Sequence, residues 1–132
     1  MTSTLLRVFM LPRSSSYAQI LSLQQQLRTA RQAGLVPDSV LLVEHEPVYT
    51  LGRHQNPANL LWPIARIEQV LQAPVQRTDR GGDVTYHGPG VLCAYHVADL
   101  RQLQCTVKGY VERLEAVMIR TAQHYAVHAY GG

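Results

Sequence analysis

Apolar and polar positions along the chain alternate between two rhythms, and each change of rhythm marks a boundary between elements. Leu5 to Leu11, with Val8 and Phe9 inside it and Pro12 closing it, suits a first strand. The Ser14-Ser15-Ser16 cluster that follows is a turn and offers an N-cap. From Tyr17, apolar residues recur at Ile20, Leu23, Leu27 and Ala30, which predicts a helix ending near Gly34 with Gln and Arg on its outer face. Ser39 to Glu46 contains the continuous run Val40-Leu41-Leu42-Val43, the signature of a central strand buried on both faces. Pro47 interrupts it, and Val48 to Leu51 resumes a β-prone run that stops at Gly52. Pro57 and Pro63 break the next stretch, and Ile64, Ile67, Val70 and Leu71 predict a short helix starting at Pro63. Val75 to Thr78 reads as a strand entering a glycine-rich segment, Arg80 to Gly90, and Val91 to Val97 as the strand that leaves it. Thr106 caps a last helix whose Tyr110, Val111, Leu114, Val117, Met118, Ala122 and Tyr125 require a broad buried face. Val127 to Tyr130 looks like the start of one more strand.

Composition narrows the class. With 132 residues, 46% hydrophobic and 16% charged, the chain has the make-up of a single globular domain over residues 1–132. The net charge of +3 comes from scattered Lys and Arg, compatible with an acidic protein partner but without a nucleic-acid footprint. No apolar run reaches the roughly 18 to 20 residues that a bilayer span needs, so no membrane association is expected. The N-terminal stretch lacks the form of a secretory signal, and a cytoplasmic setting follows. Cys93 and Cys105 form no C-x-x-C pair, and His96, His124 and His128 have no metal-site spacing, so neither metal nor cofactor is expected.

The segment richest in candidate chemistry is Arg80-Gly81-Gly82-Asp83-Val84-Thr85-Tyr86-His87-Gly88-Pro89-Gly90. Glycines let a backbone approach a ligand closely, and the interleaved arginine, threonine, tyrosine and histidine offer hydrogen bonds to a carbonyl, phosphate or carboxylate. A binding loop and a solvated hairpin connection are both compatible with this composition. The spacing satisfies neither phosphate-loop template, neither G-x-x-x-x-G-K-[ST] nor G-x-G-x-x-G at a strand-to-helix turn, and a nucleotide site is disfavoured.

The same run, followed by Ala94-Tyr95 and Asp99-Leu100, resembles the signature of lipoyl(octanoyl) transferases. Glu44-His45-Glu46-Pro47-Val48-Tyr49-Thr50-Leu51-Gly52-Arg53 is similar to a second block of that family, and Tyr110-Val111 with Leu114-Glu115 fits its helix. The resemblance implies an α/β (α+β) fold, a mixed sheet flanked by helices as in biotin and lipoate protein ligases. It also implies transfer of an octanoyl group from acyl carrier protein to a lysine of lipoyl domains, in 2-oxoacid dehydrogenases or the glycine cleavage H protein. Arg80, Gly81, Gly82, Asp83, Val84, Thr85, Tyr86 and His87 would then bind the acyl substrate. Gly81 and Gly82 would give room and backbone donors, Thr85 and His87 would orient the thioester carbonyl, and Tyr86 and His87 would close one wall.

The family's nucleophilic cysteine, in a Pro-Cys-Gly context, and its activating lysine belong to a C-terminal part that this sequence does not contain. The expectation is therefore a truncated catalytic domain with no catalytic residue of its own, inactive in transfer. Val91 stands where the family has Gln, and Asp83 where Gln is common. Cys93, inside a strand, reads as a packing group, and Cys105, beside a helix start, as structural. His45 and His54 flank the Val48 run within reach of a pocket; Tyr49 and Arg53 either contact the loop or support the sheet. Two alternatives stay open: a non-catalytic module that holds an acyl chain or acyl carrier protein, and a remnant of a lipoate or biotin ligase.

Overall fold

The computed structural model describes residues 5–131. In chain order the elements are β1 (Leu6–Met10), α1 (Tyr17–Gln32), β2 (Asp38–Glu44), β3 (Val48–Leu51), a 3₁₀ turn (Pro57–Asn59), α2 (Ile64–Leu71), β4 (Val75–Arg77), β5 (Val84–His87), β6 (Leu92–Val97) and α3 (Val107–His124). The α/β class is as expected, but the strands form two mixed sheets where one was expected. One has the order β1-β2-β6, the other β4-β3-β5. The division falls at Pro47. A proline has no N–H to continue a ladder, and the chain leaves the first sheet after Glu44 and enters the second at Val48.

β2 is the central strand that its apolar run predicts, parallel to β1 and antiparallel to β6. Strand alternation sends Leu41 and Val43 to one face, where they pack with Ile20 of α1 and with Phe9, Leu11, Leu23, Leu27, Cys93 and Tyr95. The apolar stripe of α1 covers this face and forms the core. On the opposite face Leu6, Val8, Met10 and Leu92 are exposed. The Arg31 guanidinium in the last turn of α1 donates to the Asp38 carboxylate at 2.6 Å, tying the helix end to the start of β2. Ser16 takes the N-cap position of α1 without a side-chain cap, the Ser15 hydroxyl instead donating to Pro12 O.

β3 lies parallel to β4 and antiparallel to β5. The segment expected to be a loop from Arg80 to Gly90 thus contains a strand. Loop geometry is confined to residues 78–83 and 88–91.

The chain divides into two compact units, residues up to Val97 and residues from Ala98. In the second, Thr106 caps α3 as its sequence predicts, its hydroxyl accepting from Gly109 N at 3.0 Å. Two expectations fail here. The helix was to bury a broad face, yet none of its residues is buried, and its own unit offers no second helix or strand among the described residues to cover it. Val127 to Tyr130 was to begin a strand but is irregular, since an extended segment needs a partner ladder to become one.

Candidate active site

Register decides what the glycine-rich segment can present. The pairs Val48↔His87, Tyr49↔Tyr86, Thr50↔Thr85 and Leu51↔Val84 put Thr50, Thr85 and His87 on one face of the second sheet, and Tyr49, Val84 and Tyr86 on the other. The eight residues Arg80 to His87 therefore do not share a face. Arg80, Thr85 and His87 come together on the first, Val84 and Tyr86 lie on the second, and Gly81, Gly82 and Asp83 form the turn between.

Arg80 holds that turn. Its Nε and Nη2 donate to Thr50 Oγ1 at 3.1 and 2.8 Å, Nη2 also to Thr50 O and Asp83 O at 2.7 and 2.8 Å, and Nη1 to Gly81 O at 2.9 Å. With five N–H groups in all, the guanidinium has one left for a ligand. Gly52 receives the turn: a Cβ there would lie 2.3 Å from Gly82 O, so only glycine admits this approach. Gly82 itself sits at φ +81°. The backbone of residues 52–54 then clamps the turn, with Gly52 N donating to Asp83 O, Arg53 N to Arg80 O and His54 N to Gly82 O. The amides of Gly81 and Gly82, both exposed, donate to nothing among the described residues. Asp83 accepts from Asn56 N at 3.1 Å, Val84 N at 2.8 Å and the Asn59 amide. The Asn59 hydrogen bond, foremost, holds its carboxyl below the usual carboxylate range. Asp83 thus works as a turn-building acceptor, and Arg53 supports the turn through its backbone.

Beyond His87 the face continues into a cluster that the sequence reading did not assemble. The inward rhythm of β2 carries on past Val43 to His45, which is fully buried. The His45 ring lies 5.2 Å from Tyr17, 5.7 Å from His87 and 5.7 Å from Tyr95, and Tyr17 stacks on His87 at 5.9 Å. His45 Nδ1 is 3.1 Å from Ser15 O, and a carbonyl only accepts, so Nδ1 carries the proton and Nε2 accepts from the Tyr95 hydroxyl at 2.8 Å. Cys93 Sγ is 3.3 Å from His87 Nδ1, more than the packing role expected of it. The Tyr17 hydroxyl has no partner among the described residues, although Tyr17 is only 7% exposed. Period-two spacing of Leu41, Val43 and His45 against Cys93 and Tyr95 was the available signal for this cluster. His54, by contrast, is exposed.

Burial holds the pKa of His45 below the ordinary histidine value, against the Ser15 hydrogen bond. Burial, then His45 and Arg80, does the same to His87. Burial raises the Cys93 thiol, the Tyr17 phenol and the Tyr95 phenol. The cluster is therefore neutral at pH 7, beside one fixed cation. A histidine whose folded pKa is lowered adds stability that is fully present above its unfolded value, about 6.5, and is lost as pH falls through the folded one. The urea midpoint should thus decline from pH 7 toward pH 5, and His45→Gln should flatten that decline. A midpoint equally steep in both proteins would remove His45 as its source.

On the far face of β5 lies an apolar cavity of about 320 Å³, lined by Tyr49, Leu60, Trp62, Ile67, Leu71 and Val84 among others. Trp62 is the single tryptophan of the chain. No group of three or more His, Cys, Asp or Glu fit to hold a metal occurs among the described residues. Nor is any helix among them long and apolar enough to cross a membrane.

Comparison with known proteins places the chain in a family. The chain is 42% identical over 106 residues to an octanoyltransferase of Alkaliphilus metalliredigens, covering 79% of this chain and 47% of that protein. It is 38% identical over 117 residues to Octanoyltransferase LIP2, mitochondrial, of Arabidopsis thaliana (89% and 49%), and 43% over 113 residues to an octanoyltransferase of Solibacter usitatus (86% and 51%). The chain thus spans about half the length of the curated relatives it matches. Residues 16–131 match the lipoyl protein ligase A/B catalytic domain, so the chain belongs to that family, and to its octanoyltransferases.

Proposed function

We propose that these residues supply the acyl-thioester half of an octanoyl-transfer site, which takes an octanoyl group from acyl carrier protein and delivers it to a lysine of a lipoyl domain. The lipoyl domains would be those of 2-oxoacid dehydrogenases or the glycine cleavage H protein, in a reducing cytoplasmic compartment. The observation that carries this reading is the turn at Gly81-Gly82, with two unengaged amides, a fixed cation beside them and an apolar cavity behind Val84. Adjacent N–H groups next to a guanidinium favour an oxygen that bears partial negative charge, as a polarised thioester carbonyl does. The cavity accepts the aliphatic tail. Arg80, Gly81 and Gly82 thus meet the carbonyl, Val84 the tail, while Thr85, Tyr86 and His87 form walls and Asp83 shapes the turn. By resemblance, the nucleophilic thiol and its lysine lie in the part of the relatives that this chain does not span, so the 132 residues alone bind without transferring.

Octanoyl-pantetheine should change Trp62 fluorescence saturably. Val84→Phe, which fills the cavity, should weaken octanoyl binding at least tenfold, as expected when several methylenes lose their burial, and leave acetyl-pantetheine unaffected. Octanoyl binding that ignores Val84→Phe, or octanoyl transfer to a lipoyl domain by this chain alone, would refute the proposal.

A further inference from the structure

Hydrogen-bond directions through the polar cluster are determined by their two ends. The Thr50 hydroxyl oxygen has two acceptor positions, and Arg80 Nε and Nη2 fill both at 3.1 and 2.8 Å. Its own proton must therefore point outward, toward Thr85 O and His87 Nε2, each at 3.5 Å. His87 Nε2 consequently has no acceptor to donate to, and the proton of the neutral ring resides on Nδ1, facing Cys93 Sγ at 3.3 Å. Beside it, Ser15 O fixes the proton of His45 on Nδ1, and His45 Nε2 accepts from the Tyr95 hydroxyl at 2.8 Å. The sulfur of Cys93 accepts from His87 Nδ1.

We propose that Cys93 is a positioning residue, whose sulfur accepts from His87 Nδ1 at the end of the hydrogen-bond chain that runs from Arg80 through Thr50, and thereby keeps His87 in its Nδ1–H form. The proposal goes beyond acyl binding and holds for the ligand-free protein. Its consequence for the site is that His87 presents a neutral ring of one tautomer, with its Nε2 lone pair on the Thr50 side. A ligand donor reaches that lone pair only by displacing the Thr50 hydroxyl. No other residue type does the same work at this position unless it accepts at short range. Serine does so and valine does not.

The test uses the 132-residue chain without ligand and reads the ring nitrogens of His45 and His87 by long-range proton–nitrogen NMR at pH 7.5. Wild type and Cys93→Ser should both show His87 as the Nδ1–H form. Cys93→Val, which retains the bulk of the strand side chain, should turn His87 into a mixture of tautomers, and Cys93→Ala should repeat that result should the valine variant fold poorly. His45 keeps Ser15 and Tyr95 and should stay Nδ1–H throughout, an internal control for the fold. An unchanged His87 signal in folded Cys93→Val or Cys93→Ala would overturn the proposal, as would an Nε2–H form in wild type. Neither outcome depends on octanoyl binding, so failure here and failure of the acyl reading are separable.

Discussion

Replacing Arg80 by methionine is expected to destabilise the unit up to Val97 by about 2–4 kcal/mol and to abolish thioester binding. Methionine keeps the length of the stem and removes all the donors. Thr50 O and Asp83 O, which face the guanidinium at 2.7 and 2.8 Å, then lose their partner. An acceptor left unsatisfied in a partly buried place costs about 1–3 kcal/mol, and two neighbours on one clamp do not add fully. Binding falls for a separate reason: the turn at Gly81-Gly82 loses its anchor to β3. Arg80→Lys supplies charge without the planar fork and should recover only part of either loss. Urea denaturation and the Trp62 titration check both. A loss under about 0.5 kcal/mol, the range of ordinary surface changes, would show that the fork is not what holds the turn.

Gly52→Ala should be nearly as damaging although it adds one methyl group. That methyl would sit 2.3 Å from Gly82 O and 2.9 Å from Gly81 O, so the turn must move away from β3. Backbone cannot rotate aside as a side chain can, and such overpacking costs about 1–3 kcal/mol. The displacement also breaks the hydrogen bonds from Gly52, Arg53 and His54 to the turn, which should reduce thioester affinity by at least tenfold, given about 1.4 kcal/mol per factor of ten. Gly81→Ala is the contrasting case, because a Cβ there meets nothing within 4 Å. Its stability should remain within about 0.5 kcal/mol of wild type. Equal effects of the two substitutions would indicate general glycine sensitivity and not a close approach at position 52.

Much of the local structure was legible in the chain. The run Val40 to Val43 announces a strand covered on both sides, and the spacing of Ile20, Leu23 and Leu27 announces the helix that covers one of them. Thr106 caps α3 because its hydroxyl and the Gly109 amide are three residues apart, a distance that sequence itself sets. The loop from Arg80 was recognisable from residue types alone. Its division between two faces was not, because that depends on β5 pairing antiparallel with β3 in one particular register.

The candidate site shows the same boundary between local and long-range information. Cys93 reads as a packing residue in its own strand, and only the antiparallel pairing of β6 with β2 brings its thiol to an imidazole that the second sheet supplies. The role of Gly52 lies in a backbone thirty residues later in the chain. α3 carries the period of a buried helix, yet burial requires a partner surface, which periodicity does not provide.

Sequence by itself therefore determined the strands and helices whose stabilising contacts lie within a few residues, and the identity of the groups available for chemistry. Tertiary structure alone decided which of those groups meet: that Arg80 spends its donors on the turn, that His45, Tyr17, Tyr95 and Cys93 surround His87, and that Val84 faces an apolar cavity. The physical reason is range. Propensity, capping and periodicity act between neighbours along the chain, whereas hydrogen-bond partners, burial and pKa arise from residues that only folding brings into contact.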